Sequence, residues 1–272
     1  MIPPGVPVVL VGAGDIAACD TEADEATARL VDSVARGSPP VVVFTAGDNA
    51  YGEGTAEQYT QCYHPSWGRH RPRTRPAAGN HEYDRTEGAG YFGYFGVAAG
   101  SPFRGYYSFD AGDWHLIILN SNIAMDAGSN QERWLRSDLA ANERRCTLAI
   151  WHHTRFSSGT KHGSTDATSP LWDALYERGA DVVISAHEHN YERFAPQTPV
   201  GVQDDARGLR QFVVGTGGSS LSSFQSTPLP TSEVRASVHG VLKLTLRATN
   251  YTWEFIPVAG ESFTDSGTGA CH

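Results

Sequence analysis

The segment VVVFTAGDNAYGEG, residues 41–54, joins an apolar run to a loop that carries an aspartate and a tyrosine. The run VVVFTA is short and rich in β-branched residues, which predicts a buried strand. Gly47 and Asp48 then turn the chain, as an aspartate after a strand commonly does. Tyr51 follows Asp48 by three residues. Within this segment alone, Tyr51 is either a packing residue in a loop or part of a reactive site.

Similar apolar runs recur along the chain and predict further buried strands, at 7–13, 115–121, 147–153, 181–189 and 211–216. Amphipathic helical patterns lie between several of them, at 24–37, 129–142 and 169–179. This alternation favours an α/β domain with parallel strands.

The end of the chain has a different pattern. Residues 238–258 alternate apolar and polar side chains, which predicts an antiparallel hairpin with a turn near Ala248–Asn250. Residues 83–112 are rich in glycine, tyrosine and phenylalanine. They are expected to form a long loop, which is either packed by its own aromatic side chains or forms the wall of a pocket.

Composition excludes several classes of protein. The chain has 272 residues and a net charge of −9, and it contains no Lys/Arg-rich run. A bulk nucleic-acid partner is therefore not expected, and no apolar run is long enough for a membrane helix. The start, MIPPGVPVVLVGAGD, resembles a first strand rather than a signal peptide. We nevertheless expect a secreted or periplasmic location.

The four cysteines are widely separated, and without a CxxC motif they do not predict a zinc site of the cysteine type. We expect Cys19 to pair with Cys62, since each follows a candidate strand-end motif. A second pair between Cys146 and Cys271 is also expected.

Polar residues follow several of the apolar runs. Asp15, Asp48, Asn80 in GNHE, His152 and the pair His187 and His189 all occupy such positions. Each has an ordinary explanation, because aspartate and asparagine close turns and single histidines are usually packed or exposed. Together, however, residues at the carboxyl ends of parallel strands meet at one crevice.

This donor set predicts a metal site. Carboxylate, amide and imidazole groups without a thiolate suit Zn, Mn, Fe or Co. There are more donors than one tetrahedral ion needs, so two ions that share a carboxylate are expected.

The ordered motifs Asp15, GDNAY, GNHE, WHH and AHEH resemble those of calcineurin-like metallophosphoesterases, over residues 8 to about 195. Most members of that superfamily have a histidine two residues after the first aspartate, where this chain has Ala17. The purple acid phosphatase branch lacks that histidine and has a tyrosine in the second motif, where this chain has Tyr51. The chain also departs from the usual pattern at Ala186, which stands where a glycine is common.

The resemblance implies an α/β fold, specifically a four-layer α/β/β/α sandwich of two mixed sheets. Its dimetal site is expected at the carboxyl ends of the parallel strands. Residues 1–272 are expected to form a single catalytic domain, with core motifs at 8–195 and C-terminal antiparallel strands at about 210–258. The implied metals are Fe(III) at the Tyr51 site and Fe(II), Zn or Mn at the second. The implied ligands of the first ion are Asp15, Asp48, Tyr51 and His189, with Asp48 bridging, and the second site is completed by Asn80, His152 and His187.

The implied activity is that of an acid phosphatase, which hydrolyses phosphomonoesters through a metal-bound hydroxide. His81 is the candidate acid for the leaving group, and Glu82 is expected to orient it or to raise its pKa. His153 is a candidate substrate contact or a buried packed histidine, and His162 a candidate substrate contact.

Four further residues have two interpretations each. Arg155 and Lys161 are candidate phosphate contacts, with solvation the better explanation for Lys161. Tyr191 and Arg193 either shape the pocket or pack.

Two alternatives to a phosphomonoesterase remain. One is a phosphodiesterase or a nucleotide or pyrophosphate hydrolase that uses the same site. The other is a non-catalytic scaffold, against which the complete ligand set argues. The expected partners are a small-molecule phosphate ester or nucleotide as substrate and inorganic phosphate as product.

Overall fold

Two mixed β-sheets pack face to face in the computed structural model, which describes residues 2–37, 40–85 and 87–272. Strands are numbered in chain order. The six-stranded sheet has the order β13-β12-β11-β1-β2-β3 and consists of β1 (Val8–Ala13), β2 (Val41–Ala46), β3 (Thr74–Ala77), β11 (Gly240–Leu246), β12 (Asn250–Pro257) and β13 (Asp265–Ala270). The seven-stranded sheet has the order β10-β8-β9-β7-β6-β5-β4 and consists of β4 (Tyr107–Ala111), β5 (Trp114–Ile118), β6 (Cys146–His153), β7 (Val182–Ala186), β8 (Tyr191–Phe194), β9 (Arg210–Val214) and β10 (Ser232–Ala236).

The α-helices of the described residues are α1 (Ala23–Ala35), α2 (Ala56–Gln58), α3 (Asn80–Tyr83), α4 (Ala89–Phe95), α5 (Asn130–Ala141) and α6 (Ser169–Glu177). The three longest, α1, α5 and α6, cover the outer faces of the sandwich. Helix α1 packs on β1, β2 and β11, while α5 and α6 pack together on the seven-stranded sheet. The expected α/β/β/α architecture is therefore confirmed.

Alternation of side chains explains the layers. Along β5, Leu116 and Ile118 join the cluster between the sheets, whereas Ile117 joins a second cluster under α5 and α6. Because successive side chains in a strand point to opposite faces, a continuous apolar run buries both faces of its sheet. The six predicted runs all contain strands, and the three predicted helices form as α1, α5 and α6.

Two expectations for the fold were wrong in part. Residues 83–112 are not one long loop, because they contain α4 and β4. The aromatic side chains of α4 pack against neighbouring rings, as in the contact between Tyr91 and Phe95, with ring centroids 5.4 Å apart. The C-terminal strands also extend beyond residue 258 to β13, whose sequence DSGTGA has no apolar alternation that would predict a strand.

The two sheets approach each other closely at the ends of β1 and β7. A side chain at Gly14 would place its Cβ 2.4 Å from the Cβ of Ala186, so glycine is needed there. Both expected disulfides, Cys19–Cys62 and Cys146–Cys271, are present. Among the described residues, no helix has the length and apolarity that crossing a bilayer requires.

Candidate metal centre and active site

The loops that follow β1, β2 and β7 meet where the two sheets join. Asp15, Asp48 and His187 each adopt a left-handed backbone, with φ of 56°, 50° and 70°. This conformation is unfavourable for a residue with a Cβ and persists where the surroundings hold it. Here the Asp15 carboxylate accepts a hydrogen bond from the His187 amide at 2.9 Å. The Asp48 carboxylate accepts one from the His81 amide at 3.0 Å.

A first group of donors surrounds the Tyr51 hydroxyl. It lies 2.6 Å from Asp15 Oδ1, 3.2 Å from Asp48 Oδ2 and 3.1 Å from His189 Nε2. Burial and the two carboxylates raise the pKa of Tyr51 well above its ordinary value. The phenol therefore ionises only if a strong positive charge binds beside it.

A second group surrounds His152 Nε2. This atom lies 3.1 Å from Asn80 Oδ1, 3.3 Å from Asp48 Oδ2 and 3.1 Å from His187 Nδ1. The Asp48 oxygen thus belongs to both groups, as expected of a bridging carboxylate. All seven residues predicted as metal ligands come together in these two groups.

The outward nitrogens of two histidines indicate what these groups bind. Nδ1 of His152 lies 2.8 Å from the carbonyl oxygen of Ala46, and Nδ1 of His189 lies 2.6 Å from that of Ser220. Since a carbonyl only accepts, both Nδ1 atoms donate, and in the neutral rings both Nε2 atoms present lone pairs to the site. Lone pairs then converge with carboxylate and amide oxygens, an arrangement that a cation stabilises.

Protonation supplies that cation when no metal is bound. Burial opposes a charge on His152, but the Asp48 carboxylate outweighs it and raises the pKa of His152 to about 9. A metal ion at the same atoms would replace this proton. The residues present therefore fit a pair of metal ions with Asp48 between them.

His81 lies at the edge of this centre, and its partner differs from the one expected. Its Nε2 is 3.8 Å from Asp48 Oδ2, and its ring lies 4.4 Å from that of Tyr51. Nδ1 bonds to the carbonyl oxygen of Gly52 at 2.6 Å, so this carbonyl, rather than Glu82, orients the ring.

Glu82 instead holds the backbone of the metal-site loops. Its buried carboxylate accepts hydrogen bonds from the amides of Gly79 at 2.7 Å, Asn49 at 2.8 Å and Asp48 at 3.1 Å. The described contacts thus give the orienting role to Gly52 rather than to Glu82, and the other expected role of Glu82 stays a prediction. Through these contacts, Glu82 positions the loops that carry GDNAY and GNHE.

His153 and His162 both lie against His187, with ring centroids 4.5 Å and 3.9 Å from it. His153 Nδ1 bonds to Ser121 Oγ at 2.8 Å, and burial, with the neighbouring His152, lowers its pKa to about 3. His153 is thus a neutral, packed histidine beside the second group. His162 is exposed and stacks on His187, and its role as a substrate contact stays a prediction.

Lys161 lies closer to the metal centre than the expectation of a solvated surface lysine predicts. Its Nζ lies 3.3 Å from His189 Nδ1. Arg155, by contrast, is a largely buried side chain that pairs with the exposed Asp166 at 2.7 Å. Arg193 pairs with buried Asp265, and Tyr191 bonds to the same carboxylate, so both residues pack rather than line the site.

Sequence reasoning missed two features that support the ligands. One is Glu188, between the two histidines of HEH, whose buried carboxylate accepts bonds from the backbone amides of 161, 162 and 163. The other is the segment GTGGSS, 215–220. There Ser219 donates its amide to the Asp15 carbonyl at 2.9 Å, and Ser220 accepts from His189. The glycines after the predicted strand at 211–216 were the available signal for this close approach.

Two facing sheets that gather oxygen and imidazole donors at their strand ends define a class of α/β metallohydrolases. The chain belongs to the calcineurin-like phosphoesterase family, whose model matches residues 9–191. Membership in this family implies a dimetal site.

The relatives that the chain matches include purple acid phosphatases, as its motifs predict. It is 35% identical to purple acid phosphatase 15 of Arabidopsis thaliana over 126 residues, which cover 44% of this chain and 23% of the relative. It is 28% identical to purple acid phosphatase 22 of the same plant over 214 residues, which cover 68% of this chain and 49% of the relative. The chain thus spans half or less of these two relatives.

Solved structures agree on the fold. A purple acid phosphatase from yellow lupin (Lupinus luteus) seeds superposes with a TM-score of 0.78 at 21% identity, covering 97% of this chain and 54% of the other. GAP50, the anchor in the inner membrane complex of Plasmodium, superposes with a TM-score of 0.78 at 14% identity, covering 98% of this chain and 90% of the other.

Proposed function

We propose that this protein is a dimetal-dependent phosphomonoesterase that works best at acid pH. The observation that carries the proposal is the position of Asp48 Oδ2, 3.2 Å from the Tyr51 hydroxyl and 3.3 Å from His152 Nε2. One carboxylate oxygen that serves two donor groups is suited to a pair of ions, the arrangement used for phosphoryl hydrolysis.

The two donor groups differ in hardness as ligands, so each is suited to a different metal ion. Asp15, Asp48, Tyr51 and His189 offer a phenol oxygen and two carboxylates, a set suited to Fe(III). Asn80, His152 and His187, with Asp48, suit Fe(II), Zn or Mn. When bound, such a pair lowers the pKa of a water molecule and neutralises charge on the phosphoryl oxygens.

The residues around the centre have separate roles in this proposal. His81, at the edge of the site, donates a proton to the oxygen of the leaving alcohol. Lys161, which lies near His189, and His162, which stacks on His187, hold the phosphoryl oxygens. These groups favour a phosphate dianion, and hence a monoester over a diester.

The location is part of the proposal as well. All four cysteines are paired in two disulfide bonds. Such bonds persist in oxidising compartments. A secreted or periplasmic location is therefore proposed.

Elemental analysis, a visible spectrum and a substrate panel test the proposal. The loaded protein should contain two metal ions including iron, and a visible tyrosinate band should be lost in Tyr51→Phe while the far-UV circular dichroism is unchanged. If the protein were fully active with zinc or manganese alone, only the assignment of Fe(III) would be wrong.

The substrate panel tests the reaction itself. p-Nitrophenyl phosphate should be hydrolysed well and bis-p-nitrophenyl phosphate poorly. A preference for the diester would favour a phosphodiesterase, and no hydrolysis of any ester would favour a scaffold.

A further inference from the structure

A cleft of about 670 Å³ opens beside Tyr51, next to the first donor group. Tyr51 and Gly52 form one side of it, and the Cys19 end of the Cys19–Cys62 disulfide lies in its lining. Its polar lining consists of Asp20, Thr21, Gln58, Ser219, Ser220 and His239. None of the roles described above for the metal ligands or for His81 uses this space.

Two residues that line the cleft also contact the candidate proton donor, His81. Gly52 lines the cleft and also accepts the hydrogen bond from His81 Nδ1 at 2.6 Å. Tyr51 lines it too, and the Tyr51 and His81 rings lie 4.4 Å apart. A proton donor must lie beside the oxygen of the leaving alcohol. With its oxygen beside His81, the rest of that alcohol would therefore extend into this cleft.

The charges of the two regions are opposite. Lys161, near His189, adds a positive charge at the phosphate end. Within the described chain, the cleft is lined by neither lysine nor arginine, and its charged side chain is the exposed carboxylate of Asp20. A leaving group that carries further phosphates would be repelled by Asp20, and the lining offers it no lysine or arginine; Lys161 lies outside the lining, beside His189.

The remaining lining is suited to hydroxyl groups. Ser219 and Ser220 offer hydroxyls, and His239 offers an imidazole. Thr21 offers its hydroxyl proton, because its Oγ1 accepts from the Ala23 amide at 3.1 Å. Gln58 offers its NH2 group, because its oxygen accepts from the amides of Glu53 and Thr55 at 3.0 Å. A few convergent polar groups of this kind fix the orientation of a bound small molecule. An alcohol with several hydroxyl groups satisfies more of them than an aryl or alkyl group can.

We propose that this cleft binds the alcohol part of the phosphate ester and selects an uncharged, hydroxyl-rich alcohol of the sugar class. The inference rests on the proposed phosphomonoesterase function. In the reaction, the bond between phosphorus and the alcohol oxygen breaks, a water oxygen bonds to phosphorus, and a proton passes to the alcohol oxygen. Inorganic phosphate and the free alcohol are the products.

Substrate ratios in the metal-loaded protein test the proposal. The kcat/KM for glucose 6-phosphate should exceed that for ATP, and Asp20→Lys should shift this ratio towards ATP by roughly tenfold. The control is Asp205→Lys, which makes the same charge change on the exposed loop between β8 and β9, near Cys271. The control should leave the ratio unchanged.

Binding without catalysis gives a second measurement. Saturation-transfer NMR with methyl glucoside should show contact with the metal-free wild-type protein, and Ser220→Tyr, which fills the cleft, should weaken it. Absence of transfer to the wild type would overturn the cleft assignment.

Failure of the inference and failure of the proposed function are distinguishable. If p-nitrophenyl phosphate is hydrolysed but Asp20→Lys and Asp205→Lys give the same ratio, the inference alone is wrong. If no phosphate ester is hydrolysed by the loaded protein, both are wrong.

Discussion

The nitrogen that each histidine presents to the centre is decided by a backbone carbonyl on its other side. Ala46 holds Nδ1 of His152 and Ser220 holds Nδ1 of His189. Such contacts orient the ring and increase its basicity towards a metal. A histidine of the centre is therefore defined by two contacts, and only one of them faces the metal position.

His81 provides a prediction at this scale. His81→Ala should lower kcat by about 100-fold or more for an alkyl phosphate, because the leaving alkoxide loses its proton donor. The loss should be much smaller for p-nitrophenyl phosphate, whose leaving group needs no proton. Steady-state kinetics on the two esters give the comparison, and equal losses on both would show that His81 is not the acid.

At the scale of elements, buried glutamates hold the catalytic loops by their backbone amides. Glu82 holds the loops after β2 and β3, and Glu188 holds residues 161–163 over the site. Glu192 accepts a hydrogen bond from the Ser158 amide of the adjacent loop at 2.8 Å and from the Ser232 hydroxyl on β10 at 2.6 Å. These carboxylates replace the regular hydrogen bonding that loops lack.

Glu188 and Glu192 form a matched pair for a second prediction. Each substitution by glutamine should lower the free energy of unfolding by about 1–3 kcal/mol, because an amide cannot accept as many donors. Only Glu188→Gln should also raise KM for phosphate esters, since it releases Lys161 and His162. Urea unfolding and kinetics measure both effects, and an equal KM in the two variants would contradict the role of Glu188.

A separate ionic link joins β4, β5 and α5. His115 lies between Asp110 at 2.9 Å and Asp138 at 2.8 Å, and Arg144 pairs with Asp110 at 3.1 Å. Burial opposes a charge on His115, but the two carboxylates outweigh it and raise its pKa above 6.5. Burial likewise opposes ionisation of Asp110, but His115 and Arg144 lower its pKa below 3.8.

This link predicts a pH dependence of stability. Because the folded pKa of His115 exceeds the unfolded value, its contribution is complete below about pH 6.5 and disappears as the pH rises through the folded pKa. The stabilisation that ionised Asp110 contributes is lost only in strong acid. His115→Gln should therefore cost about 1–3 kcal/mol at pH 5 and less at pH 8, as measured by urea unfolding. A cost that is independent of pH would exclude a charged His115.

For the whole molecule, the Cys146–Cys271 disulfide ties the C-terminal strands to the start of β6. His152 lies near the other end of that strand, roughly 20 Å away at about 3.3 Å per residue. The bond thus stabilises the sandwich at the end opposite the active site.

The fourth prediction follows from this separation. Cys146→Ser with Cys271→Ser should lower the free energy of unfolding by about 2–4 kcal/mol, because the unfolded chain loses a constraint across 125 residues. The kcat at 25 °C should not change. Thermal unfolding and kinetics test this, and a large loss of kcat in folded protein would contradict the separation.

Short-range patterns predicted most of the fold. The six apolar runs, the three helices and the hairpin of β11 and β12 all follow from periodicity and turn residues. Strand β13 and helix α4 were missed, because DSGTGA and AGYFGYF lack a clear period. Their structure depends on pairing with β12 and on packing among aromatic rings.

The sequence by itself determined which donors exist and in what order, because a metal site needs particular atoms and strand ends display them. It identified Asp48, Tyr51 and the absence of a histidine at Ala17. Only the tertiary structure decided how these atoms divide into two groups and which carbonyls hold the rings. It also decided that Gly52 orients His81 while Glu82 holds the loops. Such contacts join residues far apart in the chain, and their geometry is fixed only when the two sheets pack.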